Sequence, residues 1–393
     1  MDFRRLEDAD LNNKTALIRV DFNVPRDASG KITDDTRINT ALPTIRHLQD
    51  AGARVVLLSH FGRPKGEPDT ENSLRFMADA LAKRLDSEVH FSASLEADAL
   101  KNLPPSTVVL MENTRFHAGE TKSDPALAKK FAALGDIFVM DAFSAAHRDH
   151  ASSAGIAEFL PAYAGLAMER ELDHISQALD HPKPPVMGIV GGAKVSTKID
   201  LLQNLVSKLD TLVIGGGMAN TFLFAQGHSV GGSLCEKDLK DTALQMMATA
   251  KRENCEIILP VDVVAAEAFA ANAPHRVCGL NEVKSDEMIL DAGPDTVTKI
   301  LDAIDASNTL IWNGPLGAFE ITPFDTSTVE CAKYAGERCK DGKIIAVAGG
   351  GDTVSAMKHA GAADDFTFIS TAGGAFLEWM EGKTLPGVEI LKK

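Results

Sequence analysis

Short, uninterrupted apolar runs alternate with helical stretches along the whole sequence, and this alternation limits the chain to a few folds. The runs are rich in Val, Ile and Leu, as expected of strands that are buried on both faces. The candidate strands are residues 15–20, 54–59, 107–111, 137–141, 186–190, 211–215, 256–261, 309–312, 344–348 and 366–370. Strands that alternate with helices predict right-handed βαβ units and parallel sheets.

Length and one proline-rich break divide this pattern into two domains. A chain of 393 residues is too long for one ordinary core. The sequence His181-Pro182-Lys183-Pro184-Pro185 predicts a stiff connector after a helix at about 167–179. We therefore predict an α/β protein with an N-terminal domain at 1–166, an interdomain hinge helix and linker at 167–185, and a C-terminal domain at 186–372. Each domain is expected to be Rossmann-like, with a parallel sheet flanked by helices.

Composition argues against several classes of partner. The net charge of −15 disfavours nucleic acid or an anionic membrane as the main partner. No apolar run is long enough for a transmembrane helix, and no apolar stretch near the N-terminus indicates a secretory signal. The five cysteines form no CxxC pair, so we expect a reducing, cytoplasmic location and neither a zinc site nor a disulfide framework.

Residues suited to anions follow the candidate strands, but their type differs between the two halves. In the first half they are arginines, namely Arg19, Arg37, Arg63, Arg115 and Arg148. In the second half they are glycines and lysines, in segments 191–194, 215–217, 349–351 and 373–374. Ligands of parallel sheets bind beyond the carboxyl ends of the strands, so the pattern predicts two anionic ligands, one in each half. The alternative for any single arginine is a solvated surface side chain.

Further polar residues of the first half also lie just past strands, and each has a structural alternative. Asp21 either contacts a ligand or pairs with a neighbouring arginine as scaffolding. His60 either binds a ligand or is a satisfied, partly buried imidazole. His147 and His150 are weak metal candidates, because no third ligand lies near them in the sequence.

The glycine-rich segments of the second half predict phosphate sites. A helix that begins near Lys194 would direct free N–H groups at an anion and place Lys194 and Lys198 on one face, although a tight turn with solvated lysines is equally compatible. Gly349-Gly350-Gly351 predicts a nest of N–H groups before a helix with an acidic N-cap. Asp352 is either that cap or a ligand of Mg²⁺, which favours one or two carboxylates together with substrate phosphates.

Several familiar signatures are missing from the sequence. There is no G-x-x-x-x-G-K-[ST] segment, which excludes a Walker-type nucleotidase. The glycines at 215–217 do not fit G-x-G-x-x-G, because Asn220 stands where the third glycine belongs. His147-Arg148-Asp149 imitates a protein-kinase catalytic loop, but no Asp-Phe-Gly follows it.

Taken in order, the motifs resemble those of phosphoglycerate kinases along the whole chain. They are RVDFNVP, SHFGRP, ENTRF, HRDH, GGAKVSTK, IGGGMANTF, WNGPLGAFE, GGGDT and STAGGAFLE. The resemblance implies reversible phosphoryl transfer from 1,3-bisphosphoglycerate to ADP, giving 3-phosphoglycerate and ATP, with Mg²⁺ as cofactor. It also implies that residues 373–393 return to the N-terminal domain. We expect a monomer.

The resemblance assigns roles to individual residues. It places the acid substrate on Asp21, Asn23, Arg37, His60, Arg63, Arg115 and Arg148. It places the nucleotide on Gly192, Lys194, Lys198, Gly215, Gly216, Leu290, Asn313, Glu320, Gly350, Gly351, Asp352 and Thr353, with Glu320 at the ribose and Asp352 as the ligand of Mg²⁺. The transferring phosphoryl group would meet Arg37, Lys194 and the amides of Gly351 and Gly374.

Two residues depart from the family pattern. Asp149 stands in place of Ala and would add negative charge beside Arg148, which would weaken acid binding. Ala372 stands in place of Gly and would be strained only if that position needs a positive φ.

The implied chemistry needs no general base. The acceptor carboxylate has a pKa of about 4 and is already ionised near neutrality. We therefore expect in-line transfer with charge stabilisation by Arg37 and Lys194, after the two domains close about the hinge. One alternative is a two-domain kinase for a different phosphorylated acid. Another is a catalytically silent binding protein that retains the fold.

Overall fold

The computed structural model describes residues 2–101 and 103–393, which fold into two compact units. The first unit runs to Asp173 and includes the C-terminal Thr384–Lys393, and the second unit is His174–Lys383. Each unit contains a six-stranded sheet in which all strand pairs are parallel. The predicted α/β fold with two parallel sheets flanked by helices is therefore confirmed.

The first unit is built around a sheet of mostly buried strands. Its strands are β1 (Thr15–Arg19), β2 (Arg54–Leu58), β3 (Val89–Ser92), β4 (Val108–Met111), β5 (Ile137–Met140) and β6 (Ala162–Ala164). Its helices are α1 (Thr36–Asp50), α2 (Arg75–Leu85), α3 (Asp98–Lys101) and α4 (Pro125–Ala132), and α5 (Leu166–Leu179) begins in it. The strand order is β3-β4-β2-β1-β5-β6.

Burial explains why β1 lies in the middle of this sheet. All five residues of β1 are buried, so the strand is covered on both faces. Helix α1 covers part of it with an apolar stripe at helical spacing, which includes Ile38, Leu42 and Ile45. Because β4, β2, β1 and β5 are parallel neighbours, the segments that follow them emerge at one edge of the sheet.

The second unit repeats this design. Its parallel strands are β7 (Val186–Val190), β8 (Thr211–Ile214), β9 (Glu256–Ile258), β13 (Thr309–Asn313), β14 (Ile345–Gly349) and β15 (Phe368–Ser370), and three further strands are β10 (Asp262–Ala266), β11 (His275–Gly279) and β12 (Met288–Ala292). Its helices are α6 (Ile199–Leu205), α7 (Gly216–Ala225), α8 (Lys240–Arg252), α9 (Pro294–Asp305), α10 (Thr326–Lys340), α11 (Gly351–Ala360) and α12 (Gly374–Met380). The parallel sheet has the order β15-β14-β13-β7-β8-β9.

Strands β10, β11 and β12 form a separate antiparallel sheet in the order β11-β10-β12, which the sequence pattern missed. Only one of the five residues of β11 is buried, so this strand gives no continuous apolar run. The pairing of β12 with β10 is irregular between Val264 and Ala265. The edge strands β3 and β6 were missed as well, because apolar and polar residues alternate in β3 and β6 has only 3 residues.

The C-terminal residues divide between the two units. In α12, Met380 O accepts a hydrogen bond of 2.5 Å from Asn204 Nδ2 of the second unit. In the following helix α13 (Pro386–Glu389), Gly387 N donates to Ala146 O of the first unit at 2.8 Å. The change of unit within α5, between Asp173 and His174, and the return at Thr384 are features of the structure. The predicted functional domains and segments, with the boundaries 1–166, 167–185, 186–372 and 373–393, remain predictions.

Short 3₁₀ helices connect the main elements. They are Leu6–Asp8, Thr114–Phe116, Glu120–Lys122, Phe143–Ala145, Ala154–Glu158, Val195–Thr197, Lys237–Leu239 and Leu280–Glu282. Among the described residues, no helix has the length and apolar character that crossing a membrane requires.

Candidate active site

The first group of predicted residues lies along the carboxyl edge of the first sheet. Arg19, Asp21 and Asn23 follow from β1, His60 and Arg63 follow β2, Arg115 follows β4, and Arg148 follows β5. These four strands are neighbours in the sheet, which explains why segments distant in sequence supply one cluster. Arg37 joins the cluster from the first turn of α1.

Asp21 and Arg37 form an ion pair in this cluster. Arg37 Nη1 donates to Asp21 Oδ2 at 2.7 Å and to Oδ1 at 2.9 Å. Ser144 Oγ and Asn23 N also donate to the Asp21 carboxylate, at 2.5 and 3.0 Å. Burial raises the pKa of this carboxyl, but the charge of Arg37 and the hydrogen bonds outweigh burial and hold the pKa below its usual value. The scaffolding interpretation of Asp21 is therefore realised in the structure, and a role in substrate binding remains a prediction.

His60 is held in one tautomer by Arg19. Arg19 Nη2 donates to His60 Nδ1 at 3.1 Å, and a guanidinium group can only donate. The neutral His60 ring therefore carries its proton on Nε2. Burial, and next the charge of Arg19, disfavour the imidazolium and place the pKa of His60 well below its ordinary value. This histidine is suited to donating one hydrogen bond and unsuited to acting as a base near neutrality.

The other arginines of the cluster lie close enough to one another that their charges interact. Arg115 Nη1 donates to Gly62 O at 2.7 Å, and Gly62 N donates to Asn23 Oδ1 at 2.9 Å. Burial, and then the charges of Arg148 and Arg19, lower the pKa of Arg115. Arg63 is exposed, whereas Arg148 is partly buried. Converging positive charge of this kind is stabilised when an anion binds.

Glu120, together with Ser152, is a residue that the sequence reasoning missed. Glu120 is fully buried, and it accepts hydrogen bonds from Ser152 N at 3.0 Å and from the Ser152 hydroxyl. Arg19 Nε in turn donates to Ser152 Oγ at 3.1 Å. Glu120 therefore provides a negative charge that balances Arg19, and the Ser152 hydroxyl group links the two side chains. The ENTRF motif lies just before Glu120, but nothing in the sequence indicated which arginine the acid would balance.

The weak metal interpretation of His147 and His150 gains no support from the geometry. His150 is buried with Nδ1 3.7 Å from Glu120 Oε1, and burial and nearby arginines lower its pKa to about 4. Among the residues that the structure describes, no group of three or more His, Cys, Asp or Glu side chains could hold a metal ion.

In the second unit, Lys198 is the central cation. Its Nζ donates to Gly191 O and Asn313 Oδ1, both at 2.6 Å, and to Asn313 O at 3.1 Å. These acceptors are carbonyl oxygens at the ends of β7 and β13, which are neighbours in the sheet. Burial lowers the pKa of Lys198 to about 8, and the charge of Asp352 opposes this shift.

The predicted helix with both lysines on one face is wrong. Lys194 has extended backbone angles and precedes the 3₁₀ helix Val195–Thr197, and α6 begins only at Ile199. The Lys194 side chain is exposed, whereas Lys198 turns inward towards the strand ends. The glycine pair bends the chain more sharply than a direct strand-to-helix transition would, since Gly192 has φ +133°.

The turn at 349–353 connects two neighbouring strand ends. Asn313 Nδ2 donates to Gly349 O, and Gly314 N donates to the buried Thr353 Oγ1, both at 2.7 Å. Gly350 is the N-cap of α11 and has φ +103°. The predicted acidic N-cap is therefore wrong, because Asp352 lies in the first turn of α11 rather than before it.

The start of α12 lies beside this turn. A Cβ atom on Gly349 would come within 2.4 Å of the Phe376 ring, so β14 and α12 pack too closely there for any larger residue. Gly351 and Gly374 are the first residues of α11 and α12, and both are exposed.

A cavity of about 370 Å³ opens between these segments within the second unit. Predicted nucleotide residues that line it are Gly192, Gly216, Leu290, Glu320 and Asp352. Gly215 is buried beside the cavity, and a Cβ atom on it would lie 2.6 Å from the Leu316 side chain. The wall is largely apolar, with Leu316, Met288 and Leu234, while Glu320 and Asp352 supply carboxylates. Such a lining suits a planar, mostly apolar base with polar groups at its ends.

Asp291 is a further cavity residue that the sequence reasoning missed. It is 2% exposed, and its carboxylate accepts hydrogen bonds from Ser327 N at 3.0 Å and Ala292 N at 2.9 Å. Burial raises the pKa of Asp291 to about 7 against the effect of these bonds. Asp291 therefore ties β12, which carries Leu290, to the start of α10.

The two departures from the family pattern have modest structural effects. Ser123 Oγ donates to Asp149 Oδ1 at 2.8 Å, so this carboxylate has a partner of its own beside Arg148. Ala372 is buried and is not among the described residues with positive φ. The Ala372 backbone is therefore compatible with a side chain, and no strain follows from the loss of glycine.

One α/β unit with an arginine cluster and a second with a glycine-rich cavity and a partly buried lysine offer two sites suited to anionic groups, as a kinase for a small molecule requires. The comparisons with known proteins support this class. The family model described as "Phosphoglycerate kinase" matches residues 6–383. The chain therefore belongs to the phosphoglycerate kinase family, whose members are enzymes.

Curated relatives match the whole chain. The phosphoglycerate kinase of Caulobacter vibrioides strain NA1000 is 60% identical over 396 residues, with 100% of both chains covered. That of Brucella abortus biovar 1 is 56% identical over 400 residues, again with 100% of both covered. Among solved structures, phosphoglycerate kinase from Coxiella burnetii gives a TM-score of 0.93 at 43% identity and covers 99% of this chain and 98% of its own. The Pyrococcus horikoshii enzyme gives 0.76 at 29% identity, with the same coverage.

The environment of His60 leads to a direct spectroscopic prediction. We expect its ring to stay neutral near neutrality, with the proton on Nε2 and a pKa well below the ordinary histidine value, because burial and the charge of Arg19 disfavour the imidazolium. Nitrogen-15 NMR of histidine-labelled protein measures this, with His60→Asn to assign the signal. A His60 signal that titrates near pH 6.5, or a proton on Nδ1, would contradict the assignment.

Proposed function

We propose that this protein catalyses reversible phosphoryl transfer from 1,3-bisphosphoglycerate to ADP, giving 3-phosphoglycerate and ATP. The observation that carries the proposal is that each unit brings together a different set of groups suited to anions. One is the arginine cluster of the first sheet, and the other is the cavity of the second sheet with Lys198 at its strand ends. Membership of the family across residues 6–383 supports the same reaction.

The first unit is proposed to bind the acid substrate. Arginine forks match the oxygens of carboxylate and phosphate groups, and His60 offers a single N–H donor. The residues in this role are Asp21, Asn23, Arg37, His60, Arg63, Arg115 and Arg148. Asp21 acts chiefly on Arg37, whose guanidinium it holds at 2.7 Å and leaves partly exposed for a ligand.

The second unit is proposed to bind the nucleotide. The apolar part of the cavity suits the adenine, and Glu320 at its rim suits the ribose hydroxyls. Lys198, Asn313, Thr353 and the amides that follow Gly350 suit the phosphates.

Asp352 is proposed to be the protein ligand of Mg²⁺. It is exposed at the cavity lining, beside the phosphate-binding turn. A single carboxylate that shares the ion with substrate phosphates is a donor set that Mg²⁺ accepts. When bound, Mg²⁺ would neutralise negative charge on the nucleotide phosphates.

The reaction is proposed to proceed in line and without a general base. A carboxylate acceptor with a pKa of about 4 has no proton to lose near neutrality. His60 is neutral with its proton on Nε2, so it serves as a donor to the substrate. Arg37, Lys194 and the amides of Gly351 and Gly374 are proposed to stabilise the charge of the transferring group. A cation that meets the transferring group, as an arginine finger does in related chemistry, is worth about 10³–10⁵ in rate.

The basic test is a turnover assay with purified protein. We expect ATP synthesis from 1,3-bisphosphoglycerate and ADP, which depends on Mg²⁺ and disappears when chelator is added. The reverse reaction is run with 3-phosphoglycerate and with other phosphorylated acids. A preference for another acid would favour the alternative kinase, and the absence of turnover with any acid would favour a silent binding protein.

Lys194→Ala separates catalysis from nucleotide binding. We expect kcat to fall by about 10³-fold or more, because the lost charge acts on the transferring group, whereas ADP affinity stays within about threefold. Steady-state kinetics and calorimetric titration with ADP measure the two effects. Lys208→Ala removes an exposed lysine of the same unit and is the matched control. Turnover near the wild-type rate in Lys194→Ala would remove this lysine from the mechanism.

Domain closure, a cytoplasmic location and a monomeric state belong to the proposal as well. The acid and the nucleotide are assigned to different units, so transfer requires that the units bring them together. Small-angle X-ray scattering tests closure and size at once. We expect the mass of a monomer and a smaller radius of gyration with both 3-phosphoglycerate and a non-hydrolysable Mg-ATP analogue than with either alone. An unchanged radius would argue against closure.

A further inference from the structure

Lys194 stands at the start of a short turn in which Val195 is buried, whereas Ser196 and Thr197 are exposed. Its backbone is extended and its side chain exposed, and the 3₁₀ helix Val195–Thr197 follows directly. Within the segment, Thr197 Oγ1 donates to Lys194 O at 2.8 Å. This bond lies within the turn, and the buried Val195 side chain holds one side of the turn against the unit. The position of the exposed Lys194 ammonium group therefore depends also on the contacts that the polar residues of the turn make with the rest of the unit.

Glu236 holds this turn from a distant part of the sequence. Its Oε2 accepts a hydrogen bond from Ser196 N at 2.9 Å, and its Oε1 accepts one from Ser196 Oγ at 2.5 Å. Both carboxylate oxygens are thus used on one residue, in bonds that the negative charge strengthens. Burial raises the pKa of Glu236, but the Ser196 bonds and the charge of Lys194 outweigh burial and lower it.

Glu236 is itself attached to the wall of the cavity. Glu236 N donates to Thr221 Oγ1 at 3.0 Å, and Leu234 O accepts from Asn220 Nδ2 at 3.1 Å. Asn220 and Thr221 belong to α7, which begins at the cavity residue Gly216. Leu234 and Asn220 also line the cavity. Hydrogen bonds therefore link α7, which contributes Gly216 and Asn220 to the cavity wall, through Thr221 and Glu236 to the turn after Lys194.

We propose that Glu236 is a positioning residue, which fixes the Lys194 segment through Ser196 and aligns it with the nucleotide cavity. The inference rests on the proposed kinase function, in which Lys194 meets the transferring phosphoryl group. Glu236 touches neither substrate in this scheme. Its loss therefore affects the rate of transfer more than the affinity for nucleotide.

Steady-state kinetics of Glu236→Ala, Ser196→Ala and the double variant test this role. We expect kcat to fall about tenfold in Glu236→Ala and about threefold in Ser196→Ala, while the KM for ADP stays within about twofold. The effect of Ser196→Ala is smaller because the backbone N–H group of residue 196 still donates its hydrogen bond to Glu236. The double variant should match Glu236→Ala, because both changes remove one interaction. Hydrogen exchange at residues 195–197 should be faster in Glu236→Ala.

Asp238→Ala is the matched control, since it removes an exposed acid two residues further along without touching the turn. An active wild type with kcat unchanged in Glu236→Ala, or with the same loss in Asp238→Ala, would overturn this inference and leave the proposed function intact. A wild type without turnover would overturn both. If Glu236→Ala does not fold by circular dichroism, Ser196→Ala decides, and its unchanged kcat would count against the role.

Discussion

The most demanding interaction in the second unit is the burial of the Lys198 ammonium group among carbonyl oxygens. Removing a cation from water is costly unless its donors are satisfied, and here the backbone carbonyls of Gly191 and Asn313 and the Asn313 side chain satisfy them. Two neighbouring strands must end at the same level for this arrangement to form. The glycine turns, the orientation of Asn313 and the approach of Thr353 all follow from that requirement. The acceptors carry only partial charge, so the site keeps a net attraction for anions.

The first unit solves a similar problem in a different way. Its most deeply buried cation, Arg19, is 1% exposed and donates hydrogen bonds to Ser152 Oγ, His60 Nδ1 and Val20 O. The same Ser152 hydroxyl group donates to the Glu120 carboxylate. Glu120 therefore balances the most deeply buried arginine, and Asp21 balances Arg37. The remaining arginines leave a net positive charge that extends to the exposed Arg63. Arrangements of this kind attract an anion without burying an unpaired charge.

The sequence predicted those parts of the structure that depend on local pattern. Continuous apolar runs located most strands of both parallel sheets, and the residues after them proved to lie at the carboxyl edges. It failed where distant contacts decide the outcome. Lys194 and Lys198 diverge because a 3₁₀ turn intervenes, and Gly350 rather than Asp352 caps α11. Glu120 and Asp291 acquire their importance only from the fold, because their partners lie far away in sequence.

The return of Thr384–Lys393 to the first unit has a consequence for how the protein is made. Arg4 N donates to Leu391 O at 2.8 Å, so two segments that lie far apart in the sequence meet in one unit. The second unit, His174–Lys383, lies in the sequence between these two segments, so the first unit gains its last contacts only after the second unit has been synthesised. The complete fold of the first unit therefore depends on a segment that follows the second unit in the chain.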